Sequence, residues 1–207
     1  VSSQTVTICA ANTDPQWSDI DDQHIDEDSG DNFVDISPYI NDYEQAPSQI
    51  VFTVLDNTDS IHLGAVFDSY NLVLTTLIED YYTTEAVVLT LQADDGYGGI
   101  VIQTVSVFID PVNDAPVLSS IDSQFTNEDT PLVVTLEAED IDGDELSYSV
   151  VSDTENISVS ITGSNLTLTP AENYNGIAEI TVTVTDSDGL EDSETFALTV
   201  TPVNDAP

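Results

Sequence analysis

Strict alternation of apolar and hydroxyl residues runs through the C-terminal half of the chain. In Ile180-Thr181-Val182-Thr183-Val184-Thr185, and again in Leu198-Thr199-Val200-Thr201, every second residue is apolar. A period of two sends Val, Ile and Leu to one face of a strand and Thr to the other, so each segment predicts a half-buried β-strand. The same pattern predicts strands at 132–137, 146–151, 157–161, 165–169, 177–185 and 195–201. Turn signals separate them: Asp142-Gly143-Asp144, Thr162-Gly163-Ser164, Asn175-Gly176 and Asp188-Gly189. Helical periodicity is absent. Six or seven short strands in about 90 residues predict an antiparallel β-sandwich.

The N-terminal half repeats this pattern. Asp26-Glu27-Asp28 aligns with Asn127-Glu128-Asp129, and Asn71-Leu72-Val73-Leu74 with Asn165-Leu166-Thr167-Leu168. Tyr81 aligns with Tyr174, Ala93-Asp94-Asp95-Gly96 with Asp186-Ser187-Asp188-Gly189, and 105–109 with 197–201. Spacing drifts between these anchors, as in a diverged repeat with loops of unequal length. The hexapeptide Pro-Val-Asn-Asp-Ala-Pro closes each half, at 111–116 and at 202–207. It reads as an interdomain linker. The expected organisation is a first sandwich over 17–116 and a second over 117–207. Residues 1–16 read as the last strand (Thr5-Val6-Thr7-Ile8-Cys9) and degraded linker (Asn12-Thr13-Asp14-Pro15) of a preceding unit. Both ends of the chain then look like joints of a longer array.

Charge narrows the function. The 207 residues include 40 Asp and Glu and no Lys or Arg, for a formal charge of −40. A hydrophobic content of 40% is enough for ordinary cores and argues against a disordered acidic chain. Nucleic-acid binding is excluded for want of phosphate-neutralising groups, and so is attraction to anionic membranes. No apolar run approaches the roughly 20 residues of a membrane span, and the start lacks the basic and apolar regions of a signal peptide. Cys9 is the only cysteine, so no intrachain disulfide is possible. No nucleophile elbow, phosphate loop or zinc spacing is present, and His24 and His62 are isolated, so the chain is expected not to be an enzyme. The carboxylates are so abundant that pairing among them says little. Asp140-Ile141-Asp142-Gly143-Asp144 is not an EF-hand: Gly143 stands fourth rather than sixth, and Val151 occupies the twelfth position. Oxygen ligands at a domain junction, with no protein cation to pair them, instead suggest interdomain calcium.

The stretch Asp110-Pro111-Val112-Asn113-Asp114-Ala115-Pro116 resembles the linker of cadherin repeats. It is more similar still to the bacterial cadherin-like tandem repeats of large secreted adhesins, which often end in Val-Asn-Asp-Ala-Pro. The resemblance covers both halves. It implies an all-β rod of two tandem Ig-like, cadherin-like Greek-key sandwiches with calcium at the junction. Transferred residue by residue, it implies ligands from Glu27, Glu79 and Asp80 upstream, from Asp110, Asn113 and Asp114 in the linker, and from Asp140, Asp142 and Asp186 downstream. Asp28, Asp144 and Asp188 are near-neighbour substitutes. The linker lacks the second Asn of the cadherin form, so about one to three ions are expected. A weaker entrance to the first domain is expected from Asn41, Asp42 and either Asp94 or Asp95, facing residues 12–14. Glu128, Glu172, Asn204 and Asp205 would form the far half-site.

The expected role is that of a calcium-stiffened structural segment of an extracellular adhesin or matrix fibre. The alternatives are a subunit polymerising head-to-tail through its terminal strand and a module binding a glycan or protein. Expected partners are adjacent repeats or identical subunits.

Overall fold

The computed structural model describes residues 11–44 and 49–204. The expected strand at 5–9, Cys9 and Asp205 lie outside the described residues. The chain divides into two compact units, Val1–Val112 and Asn113–Pro207.

The first unit contains β1 (Gln16–Trp17), β2 (Gln23–Asp26), β3 (Asp31–Asp35), β4 (Ile40–Asn41), β5 (Val51–Asn57), β6 (Leu63–Asp68), β7 (Asn71–Thr76), β8 (Val87–Asp94) and β9 (Ile100–Asp110). A 3₁₀ turn, Ser37–Tyr39, precedes β4. One sheet has the order β2-β9-β8-β5 and the other β3-β7-β6. β5 to β6 crosses from the first sheet to the second, and β7 to β8 crosses back, which makes a Greek-key sandwich. β2 runs parallel to β9, with Asp26 opposite Asp110, and the other ladders are antiparallel. The core is the inward half of each alternating strand: Leu72 and Leu74 from β7, Leu89 and Leu91 from β8, Val105, Val107 and Ile109 from β9. Burying each such side chain contributes about 1.5–3 kcal/mol.

The second unit repeats this topology with β10 (Val117–Leu118), β11 (Gln124–Asn127), β12 (Leu132–Thr135), β13 (Ala138–Glu139), β14 (Ser147–Ser152), β15 (Ile157–Thr162), β16 (Asn165–Pro170), β17 (Gly176–Thr185) and β18 (Glu191–Thr201). Its sheets are β11-β18-β17-β14 and β12-β16-β15. Ile180, Val182 and Val184 are buried while Thr181, Thr183 and Thr185 stay half-buried, as their alternation requires. The expected strand at 132–137 ends at Thr135, where β12 stops pairing with β16, and a separate β13 beyond it pairs with β10. The last strand begins at Glu191, four positions before the hydrophobic alternation marks it, because Glu191 pairs with Thr185 at the turn end of the β17–β18 hairpin. β11 carries little alternating signal, since it joins β18 along one edge only, with Gln124 opposite Leu198.

Candidate metal-binding frames

Each unit holds its acidic residues in the same frame, built on two strand ends and two turns. At one end of the first unit, the chain leaving β2 turns back through Glu27. This carboxylate is buried, and its Oε1 accepts the backbone N–H of Val112 at 2.9 Å. Its own N–H donates to the Asp110 carbonyl at 2.9 Å. Glu128 repeats both bonds, accepting from Val203 at 2.6 Å and donating to Thr201 at 2.9 Å. Glu27 Oε2 is buried and has no hydrogen-bond partner among the described residues. Next to it in sequence, Asp28 accepts the N–H of Asp80 at 3.1 Å, and both residues adopt left-handed φ, near 60° and 55°. Asp129 holds Asn173 likewise at 3.2 Å. The structure therefore brings Asp80 to Asp28. Glu79 is exposed on the same loop. The Asp110 carboxylate lies 2.9 Å from His24 Nδ1, and the His24 ring stacks on Phe108.

The second unit gathers the remaining residues at its entrance. Asp186 sits in the turn between β17 and β18, where its Oδ1 accepts the N–H groups of Asp188, Gly189 and Leu190 at 3.0, 2.6 and 2.8 Å. Its Oδ2 accepts the Asn113 amide at 2.8 Å. Burial raises the Asp186 pKa, but the hydrogen bonds from Asn113 and the three backbone N–H groups outweigh it. The carboxyl is therefore held below its ordinary value. Asp114 donates its N–H to Asp142 at 2.9 Å. Asp140 Oδ1 accepts from the N–H groups of Asp142 and Asp144, at 3.0 and 3.3 Å, and the buried Oδ2 has no partner among the described residues. Asp144 accepts from Ser187, and the Asp188 side chain is exposed.

The same frame recurs at the entrance of the first unit, in a different register from the one expected. Gln16 pairs with Asn41 as Val117 pairs with Glu139, so Asp42 stands where Asp140 does and Glu44 where Asp142 does. Asp42 accepts from the Glu44 N–H at 2.8 Å, the bond Asp140 makes with Asp142. The expected pair of Asn41 and Asp42 is thus corrected to Asp42 and Glu44. Asn41 projects from the strand β4 itself. The shared acid-x-acid spacing of Asp42-Tyr43-Glu44 and Asp140-Ile141-Asp142 was the signal available in the sequence. Asp95, not Asp94, plays the part of Asp186. It accepts from Tyr97 and Gly99, and from Asn12 at 2.8 Å as Asp186 accepts from Asn113. The Asn12 hydrogen bond is the main reason its carboxyl lies below the usual carboxylate range, with backbone N–H groups assisting against burial. A Cβ at Gly99 would collide with the Asp95 carboxylate and crowd the Asp14 backbone, so only glycine fits this turn.

Residues 113–199 match the family model described as bacterial Ig domain. This supports a bacterial Ig-like reading of those residues. No curated protein sequence matches the chain. Among solved structures, it is similar to the human desmocollin-1 ectodomain, at 18% identity and a TM-score of 0.48, over 93% of this chain and 41% of that one. It is also similar to human mucin-like protocadherin EC1-2, at 21% identity and a TM-score of 0.46, over 88% of this chain and 96% of that one. A third likeness is to an endo-fucoidan hydrolase of glycoside hydrolase family 107, at 17% identity and a TM-score of 0.39, over 92% of this chain and 29% of that one.

Proposed function

We propose that this chain is a non-enzymatic structural segment of a long extracellular adhesin or matrix fibre, stiffened by calcium. The observation that carries this reading is the pair of buried carboxylate oxygens without partners, Glu27 Oε2 and Asp140 Oδ2, in a chain with no Lys or Arg. A buried charged acceptor left unsatisfied costs more than about 1–3 kcal/mol. With no Lys or Arg to offset it, a bound cation is the remedy that keeps both carboxylates ionised. The donor set is carboxylate, amide and backbone oxygen, which suits calcium and its six to eight hard ligands better than a softer metal.

The proposed ligands are Glu27, Glu79, Asp80, Asp110, Asn113, Asp114, Asp140, Asp142 and Asp186. Glu27 and Asp140 would supply the buried oxygens, and the others would close the shell as far as their present partners release them. Asp110 would exchange His24 for the ion. Asn113 already donates its amide hydrogen to Asp186, which leaves its Oδ1 for a cation. Calcium supplies charge neutralisation. The protein residues convert that into stiffness, because prolines 111 and 116 restrict the linker that carries Asn113 and Asp114. Adjacent repeats or identical subunits are the proposed partners.

Small-angle scattering on the 207-residue chain, with calcium and with chelator, tests this. The maximum dimension should become sharply defined in calcium and spread in chelator. Asp114→Asn with Asp142→Asn should abolish the calcium response with both units still folded. An identical dimension distribution in the two conditions would refute the proposal. A magnesium response equal to the calcium response would also refute it, since bulk screening would then explain both.

A further inference from the structure

The first unit has a groove that the metal-binding frames do not use. It encloses about 540 Å³ between the turn at Thr58 and Asp59 and the segment from Tyr81 to Val87. One wall is fixed by a three-residue cluster. Asp59 is bonded to His62 Nδ1 at 2.7 Å and accepts from the Tyr81 hydroxyl at 3.0 Å. The His62 ring stacks on Tyr81, with centroids 3.6 Å apart and planes 10° from parallel. The lip is Tyr82, 49% exposed. The Tyr82 and Thr84 hydroxyls and the Glu85 carboxylate make no hydrogen bond among the described residues.

The second unit lacks this arrangement. Tyr174 replaces Tyr81 but donates to the Ile177 carbonyl of its own loop. Thr58 and Asp153 make equivalent bonds to Val88 and Glu179, which puts Thr154 in place of Asp59 and Asn175 in place of Tyr82. The wall 82–86 also comes from a longer connection than 175–177. The groove is therefore built by residues that the repeat does not require.

We infer that this groove binds a neutral saccharide. A flat exposed ring beside hydroxyl and carboxylate groups offers a sugar both its apolar face and its ring of hydroxyls. The Thr58 and Thr83 oxygens already accept the N–H groups of Val88 and Ile109, so their protons remain to donate. Glu85 only accepts. A ligand that both donates and accepts satisfies this set, whereas a cation offers the threonine hydroxyl protons no acceptor. The charge of −40 repels acidic sugars and other anions. Asp59 has its oxygens engaged by His62 and Tyr81, so it holds the wall in shape rather than meeting the ligand, and a preformed wall lowers the cost of binding.

The test is an amide-shift titration of the whole chain with glucose, galactose, mannose, fucose and N-acetylglucosamine in turn. At least one should produce saturable shifts at Tyr82, Thr84 and Glu85 and none at Tyr174 and Asn175. Tyr82→Ala should weaken that sugar at least about tenfold at unchanged melting temperature, because the ring supplies the apolar wall of the groove. Glu85→Gln should weaken it less. Absence of saturable shifts with all five sugars, or equal affinity in Tyr82→Ala, would overturn the inference. So would shifts of the same amides by calcium or tetramethylammonium alone, which would make the groove a cation site.

Discussion

Glu27 accepts the backbone N–H of Val112 while donating its own N–H to the carbonyl of Asp110, both at 2.9 Å. One residue thus clamps the end of β9 from both sides. Glu128 clamps Val203 and Thr201 in the same way. The chain leaves each sandwich at a fixed point, and a buried carboxylate fixes it.

Glu27→Ala should lower the stability of the first unit by about 1–3 kcal/mol, since it deletes a charged acceptor from a buried N–H. Glu27→Gln keeps an acceptor oxygen and should recover most of that loss in urea unfolding with chelator present. The Gln variant should still bind calcium at least about tenfold more weakly by calorimetry, for want of one formal charge. Equal destabilisation by Ala and Gln would show that the Val112 bond is not the cause.

Leu89→Ala and Leu198→Ala remove fully buried side chains from the first and second cores. Each should cost about 2–5 kcal/mol. Hydrogen exchange should confine the loss to the unit that carries the substitution, because the two cores form separate clusters. Equal loss of protection in both units would contradict that separation.

The Asp59 carboxyl is pushed up by burial, but the bonds from His62 and Tyr81 outweigh this and hold it below the ordinary value. A depressed folded pKa gives a stabilisation that is fully present above the unfolded value of about 3.9 and is lost as pH falls through the folded value. Asp59→Asn should therefore be less stable than the parent by about 1 kcal/mol at neutral pH, or several degrees in melting temperature. The gap should close below about pH 3.9. Protonation of the other carboxylates affects both proteins and cancels in the difference. A gap that stays constant down to pH 2 would exclude the ionised Asp59 as its source.

Period-two alternation determined the strands of both cores, because a half-buried strand must alternate to keep one face dry. Ile180, Val182 and Val184 are inward as their spacing requires. The repeated Pro-Val-Asn-Asp-Ala-Pro and the anchors at Glu27 and Glu128 likewise revealed two copies of one unit. Composition alone established that no Lys or Arg pairs with any carboxylate. Tertiary structure decided what local pattern does not encode. The entrance of the first unit is Asp42 and Glu44 rather than Asn41 and Asp42, because strand pairing across 22 residues of intervening chain sets the register, as Trp17 opposite Ile40 shows. Asp95 rather than Asp94 meets Asn12, because neighbours on a strand face opposite ways. Asp59, His62 and Tyr81 converge only through the fold. His62 looked isolated along the chain, since its stacking on Tyr81 is assembled by packing and leaves no period for a sequence to display.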